Sequence, residues 1–531
     1  MGIRCLQLAV LLCLAFARSP YLKCQTAAAE QPPATHLARG AKLLEQGNPQ
    51  AAKEEFLQVT SSDKSNPDGY LYLGIANLQL GRFAEAEQAL HHAIVLNPRL
   101  AEAHYNLALV YARENKTADA MAALKQSLAL KPTNADANYN LGILLLDQQQ
   151  AGKAVRYLEE AKKVGPQTPE LSLELVKACL ASGSRRKAVL EADESTKQFA
   201  QSAALQNELG KIFLMHNLPK EAASHLERAN QLARNTPEVV LTLAEAYLQQ
   251  GKASAAQPLL LGASDDVRQD ARYYYLLAQS SFFLGQKPQA LEEMSKAVQL
   301  EPNNAGYWFS LGRLYQQNKR HGRALEALAQ AQKLDPVSAQ ILYSIAVSHF
   351  YLQSYHEVYA PVQAALRLDS RLDKAYILQG MTYAVDNQFD TARASLQQGI
   401  RLSLQNPFYQ CVYGIVAMME GNLAEAIQAF RRAAELDPRY AQAHYQLGRA
   451  LARSGKTKEA QPELETAVRL NPDSSEAYYW LWKLYVKNGE KEKGEKALAT
   501  FKALKAPHPA ESNEKQEMVN GMRQALEQSQ K

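Results

Sequence analysis

The sequence predicts an all-α solenoid, and three observations predict it. A period of 34 residues runs through the chain, small side chains hold two fixed places in nearly every period, and prolines fall in phase at the close of seven of them. Units set at 33, 67, 101 and onward to 475 keep their frame to residue 508 without insertion or deletion. The eighth place reads Gly40, Gly74, Ala108, Gly142 and onward to Gly448; the twentieth reads Ala52, Ala86, Ala120, Ala154 and onward to Ala460. A fixed period in this range marks stacked units, each unable to bury its apolar face alone. The 531 residues therefore read as one array of about fourteen helix-turn-helix units over 30–508, rather than three or four separate domains.

Residues 1–29 read as a signal peptide ahead of that array. Arg4 gives a positive start, and Cys5 to Phe16 form a run that is apolar except for Gln7. That run is too short to span a bilayer and suits a secretory signal. Cleavage is expected after Ala17 or Ala29, at the small-x-small sites Ala15-Phe16-Ala17 and Ala27-Ala28-Ala29. The alternative is an uncleaved anchor. No later stretch approaches spanning length, so the mature chain is expected to be exported, periplasmic or secreted.

Residues 305–338 show how one unit is built. Trp308, Leu311, Leu314 and Tyr315 recur at helical spacing, as do Ala324, Leu325, Leu328 and Ala331, with a polar turn over 317–322 between them. Asp335-Pro336 closes the unit, because proline cannot continue the second helix. Pro98, Pro132, Pro166, Pro302, Pro438 and Pro472 repeat this close in phase. Small residues at the eighth and twentieth places let paired helices approach, and Tyr111, Tyr247, Tyr315, Tyr383 and Tyr485 at the eleventh fill the seam beside them.

Three units depart from the pattern. Unit 169–202 has Val176 at a small place and Ala200 where a proline is due; unit 237–270 carries Pro258 early in its second helix; unit 339–372 has Val358 and then Pro361. Each predicts a kink or looser stacking that divides the array into sub-stacks. In 509–531, Met518, Met522 and Leu526 recur every four residues, and this stretch reads as a polar-faced helix capping the last unit.

Composition excludes several function classes. The net charge of +5 falls to +2 once Arg4, Arg18 and Lys23 leave with the signal, so no global basic field invites nucleic acid. Cys179 and Cys411 stand almost seven units apart and form no disulfide framework. No HExxH, CxxC, GxSxG, GxGxxG or phosphate-loop motif occurs, and the eleven histidines scatter. No catalytic, cofactor or metal site is expected.

With the small places, the aromatic seam, Phe56 and Phe430 at the twenty-fourth place and the closing prolines in view, the chain resembles the tetratricopeptide-repeat family. The resemblance covers about nine-tenths of the chain and implies a right-handed superhelix whose first helices line a concave groove. It also implies that the second, fifth, sixth, ninth, twelfth and thirteenth places face that groove. Those places select Tyr105, Asn106, Arg113, Tyr139 and Asn140 as an asparagine ladder for an extended peptide. They also select Tyr445, Gln446, Arg449, Arg453, Tyr479, Lys483 and Lys487 as a cationic wall for an acidic segment, a C-terminal carboxylate or an anionic glycan. The expected function is a non-catalytic scaffold that holds proteins or peptides in its groove. The alternatives are a part that binds anionic polysaccharide during envelope export or assembly, or an accessory subunit of a separate glycosyltransferase.

Overall fold

The computed structural model describes residues 32–505 and 514–529, and the predicted signal segment lies outside them. Among the described residues every regular element is a helix. From the second unit on, first helices begin at 67, 101, 135 and every 34 residues to 475; second helices begin at 49, 83, 117 and so to 491, with one short 3-10 entry at 355. The all-α solenoid of about fourteen hairpins is thus realised in the frame that the small residues set.

Two side-chain rules make each hairpin. A Cβ added at Gly74, Gly142, Gly380 or Gly448 would meet the Cγ of Leu90, Leu158, Leu396 or Leu464 at 2.6 Å, so the eighth place is small because the twenty-fourth is large. In unit 169–202 the sizes are exchanged: Val176 stands at the eighth place, Ala192 at the twenty-fourth, and both are fully buried. The turn between the helices needs a left-handed residue at the fifteenth place, which is why Gly421 sits there with φ +92°. The alanines of the twentieth place are fully buried from Ala52 to Ala460.

Two more rules join each hairpin to the one before. The proline that closes a unit leaves its carbonyl at the foot of the next first helix, and a fourth-place donor meets it: Asn138 for Pro132 (2.9 Å) and Trp308 for Pro302 (2.8 Å). His104 and His444 take the same position, within 3.2 Å of the Pro98 carbonyl and 3.1 Å of the Pro438 carbonyl. The eleventh-place tyrosines reach back as well: Tyr111, Tyr247 and Tyr485 donate to Glu87, Glu227 and Glu465 on the preceding second helix.

The chain divides into two compact units, Met1–Ala255 and Ala256–Lys531. The division falls in the hairpin whose second helix is cut to Ala253–Leu261 around Pro258 and followed by a 3-10 turn, Val267–Gln269. The Pro361 departure likewise breaks a second helix into a 3-10 turn, Tyr355–Val358, and a shorter helix, Tyr359–Leu368. Unit 169–202 does not kink; its second helix runs the full Arg185–Gln198, because the exchange of Val176 for Ala192 preserves the volume of the seam.

The expected cap is corrected. The terminal helix Glu514–Ser529 packs on the first helix Pro407–Glu420, two repeats before the last one. Its stripe of Met518, Met522 and Leu526, widened by Val519 and Ala525, is too apolar to face water at the end of an array, and all five residues are buried.

Candidate partner-binding groove

Two walls of first helices carry the residues that the sequence selected, one in each compact unit. In the Met1–Ala255 unit, Asn106 donates from Nδ2 to the Glu102 carbonyl of its own helix at 2.8 Å. Asn140 donates to the Tyr105 hydroxyl at 3.3 Å, so a fifth-place tyrosine and a sixth-place asparagine tie neighbouring repeats together. Both asparagines are buried, and burial pushes the Tyr105 and Tyr139 phenols up. The ladder therefore spends these amide donors within the wall. Arg113 is half-buried at the end of its helix.

At the sixth place of the next two repeats the asparagines give way to Glu174 and Glu208, and the wall changes chemistry. Lys177 pairs with Glu174 at 2.7 Å; Lys211 pairs with Glu208 at 3.1 Å and with Glu238 of the next repeat at 3.4 Å. A glutamate at the sixth place and a lysine at the ninth share one helical face, and this spacing was the signal that could have found them.

In the second unit the first helices of the repeats at 339, 373 and 407 present a continuous apolar wall: Tyr343, Val347, Phe350, Ile377, Met381, Cys411, Ile415 and Met418 are all buried. The terminal helix lies on this wall and joins its core through Met518, Val519, Met522, Ala525 and Leu526. Gly521 sits close against the array, since a Cβ there would lie 3.1 Å from Gln446 Nε2 and 3.3 Å from Ile415 Cδ1. A side chain at that point would need Gln446 or Ile415 to give by a few tenths of an ångström.

Polar contacts fix the helix at both ends. Glu517 lies 3.6 Å from the Arg449 guanidinium, which is 2% exposed. Tyr351 donates to the Arg523 carbonyl at 3.2 Å, while Arg523 donates to the Tyr355 hydroxyl at 3.1 Å and to the Phe350 carbonyl at 3.4 Å. Behind Tyr351 the His321 ring stacks in parallel at 4.5 Å. Burial first, then the cations Arg523 and Lys319, lower the His321 pKa to about 4. A polar cleft of about 260 Å³ remains between Gln442 and Asn471 on one side and Gln524, Glu527 and Gln528 on the other.

This seating rearranges the predicted cationic wall. Tyr445, Gln446 and Arg449 are buried, and Arg449 hydrogen-bonds Tyr445 as well as facing Glu517. Arg453, Lys483 and Lys487 remain exposed. Lys483 lies over the Tyr479 ring at 4.4 Å and the Trp480 ring at 5.3 Å, an arrangement that holds the ammonium without neutralising it. The expected set of four groove cations is thus corrected, since the guanidinium of Arg449 serves the chain's own helix.

Both cysteines of the described residues are buried and unpaired, and burial pushes the Cys411 thiol up to about 12, far from a reactive thiolate. Among the described residues no cluster of metal-ligating side chains occurs, and no helix is long and apolar enough to cross a membrane.

Three family models match the chain. One tetratricopeptide-repeat model covers residues 111–172, 213–280 and 451–510, and a second covers 37–98, 79–135, 278–339 and 309–369. A TPR-repeat model covers 418–455. No curated protein matches the sequence. Among solved structures, the chain is similar to one described as the APC/C hetero-tetramer Cut9-Hcn1, at 13% identity and a TM-score of 0.41 over 90% of this chain and 98% of that one. It is similar to the MamA protein at 24% identity and a TM-score of 0.29, over 32% of this chain and 94% of that one. It is also similar to a structure of Naa15/Naa10 bound to HypK-THB, at 12% identity and a TM-score of 0.32, over 94% and 96%.

Proposed function

From the premise that this chain belongs to the tetratricopeptide-repeat family, we propose that it is a non-catalytic scaffold whose first-helix walls hold protein partners. The observation that carries this reading is the seat of Glu514–Ser529: a polypeptide segment from outside the repeats already lies across first helices and buries an apolar stripe there. A preformed wall of this kind binds without first having to be ordered, which favours affinity. The exposed side chains Arg453, Lys483 and Lys487, with Tyr479 and Trp480 beneath Lys483, add a rim suited to acidic segments. Partners of the Met1–Ala255 wall are proposed to meet the Lys177 and Lys211 ion pairs.

The proposal extends to export, supported by the Arg4 start and the apolar run from Cys5 to Phe16. Affinity capture of the native protein, identified by mass spectrometry and repeated with Lys483→Glu and Lys487→Glu together, tests the scaffold reading. Partners that bind the parent chain and are lost from the variant support it. An empty capture under crosslinking conditions, or turnover of a metabolite by the purified chain, sinks it. Fractionation of cells before and after osmotic release tests export.

A further inference from the structure

Resting on that reading of the walls, we infer that the groove over the repeats at 339–474 is a site for an amphipathic helix, and that Glu514–Ser529 is its resident, displaceable occupant. The chemistry of the partner follows from what the groove holds now. It carries large flexible apolar side chains four residues apart, as Met518, Met522 and Leu526 are, with a small residue against Gln446 and Ile415, as Gly521 is. It carries a carboxylate one position before the first apolar residue, to meet Arg449, and a guanidinium one position after the second, to meet Tyr355 and the Phe350 carbonyl. Helix-in-groove recognition reads anchors at this spacing, and methionine adapts to an irregular wall better than branched side chains do.

Two features argue for exchange rather than permanent closure. The wall side chains Tyr343, Val347, Phe350, Ile377, Met381, Cys411 and Ile415 belong to the array, so the site is built without the helix. The remaining face of Glu514–Ser529 is polar, with Asn520, Gln524, Glu527 and Gln528 exposed, so among the described residues none covers that side of the helix. A tethered occupant acts as a competitor at high local concentration, and only a partner of matching chemistry displaces it.

The test is a fluorescence-anisotropy titration of a labelled peptide with the sequence of residues 514–529 against three forms of the full chain. Met518→Asp with Met522→Asp releases the resident helix without touching the wall; this form is expected to bind the peptide at least about tenfold more tightly than the parent. Gln442→Cys with Gln524→Cys, joined by a short cleavable bis-thiol linker across the cleft that both residues line, locks the helix; this form is expected to bind no peptide until the linker is cleaved. Equal binding by the parent and released forms, no binding by the released form, or full binding by the locked form overturns the inference. A concentration-dependent dimer of the parent chain, absent from the released form, also overturns it, because the occupant would then come from a second copy. Failed partner capture by the array sinks the scaffold reading alone, and these titrations are independent of it.

Discussion

The first-helix wall of the Met1–Ala255 unit and the wall over 339–474 occupy the same places of the same repeat, yet they solve opposite problems. The former answers its own polar groups with its own partners: Asn140 with Tyr105, Lys177 with Glu174, Lys211 with Glu208 and Glu238. The latter is apolar along three first helices and is completed by a segment from beyond the array. The repeat fixes where groove residues stand and leaves their chemistry free, so one chain can carry a water-facing wall and a dry one.

The largest expected effect breaks the dry wall. Met522 is fully buried, and Met522→Asp places a carboxylate among apolar groups, at a cost of several kcal/mol unless it is protonated or expelled. Hydrogen exchange should show Glu514–Ser529 and the Ile415 face of its neighbour losing protection, with the Met1–Ala255 unit unchanged; protection retained in Glu514–Ser529 would refute the seating.

Next comes the packing rule that both regions share. Ala426→Leu and Ala120→Leu each overpack a fully buried twentieth place and should cost about 1–3 kcal/mol, read from urea midpoints. If only one of the two destabilises, the hairpins of the two regions are not equivalent.

A smaller effect depends on pH. His321 has its pKa lowered to about 4 in the folded chain, so the unfolded chain binds more protons between the ordinary histidine value and that point. Stability therefore falls as pH drops from about 6.5 to about 4. Its neighbours Tyr351, Arg523 and Lys319 connect this loss to the seated helix. His321→Gln should flatten the pH dependence of Glu514–Ser529 protection; an unchanged slope would assign it to other groups.

The smallest effect belongs to the polar wall. Lys177→Ala removes a side chain that is 43% exposed, and the change should stay below about 1 kcal/mol in thermal melts. A larger loss would mean that the ion pairs of this wall act as a network rather than singly.

The fold was legible in the sequence to the residue. A glycine or alanine facing a leucine in a fixed frame dictates where each hairpin closes, and Pro258 and Pro361 marked the two second helices that break. Val176 misled because a single place was read without its opposite, Ala192. The groove was less legible. Tyr445, Gln446 and Arg449 were selected as groove residues and are buried, because periodicity says nothing of what lies across a face. An apolar stripe such as Met518, Met522 and Leu526 announces burial without naming the surface that receives it. Part of the clue lay in the wall: Val347, Met381 and Ile415 stand at the ninth place, which is Lys177, Lys211 and Glu245 in three earlier repeats, although Ile75, Leu109 and Ile143 are apolar there too.

In an ordinary stack of hairpins, disorder entering at one end can spread a single unit at a time, since every interaction is between neighbours. The bond from Tyr351 to Arg523 spans 172 positions of sequence and acts as a clasp. With it fastened, the hairpins from Tyr351 to Arg449 must give way as one block, and the array acquires a cooperativity that its local connectivity does not supply.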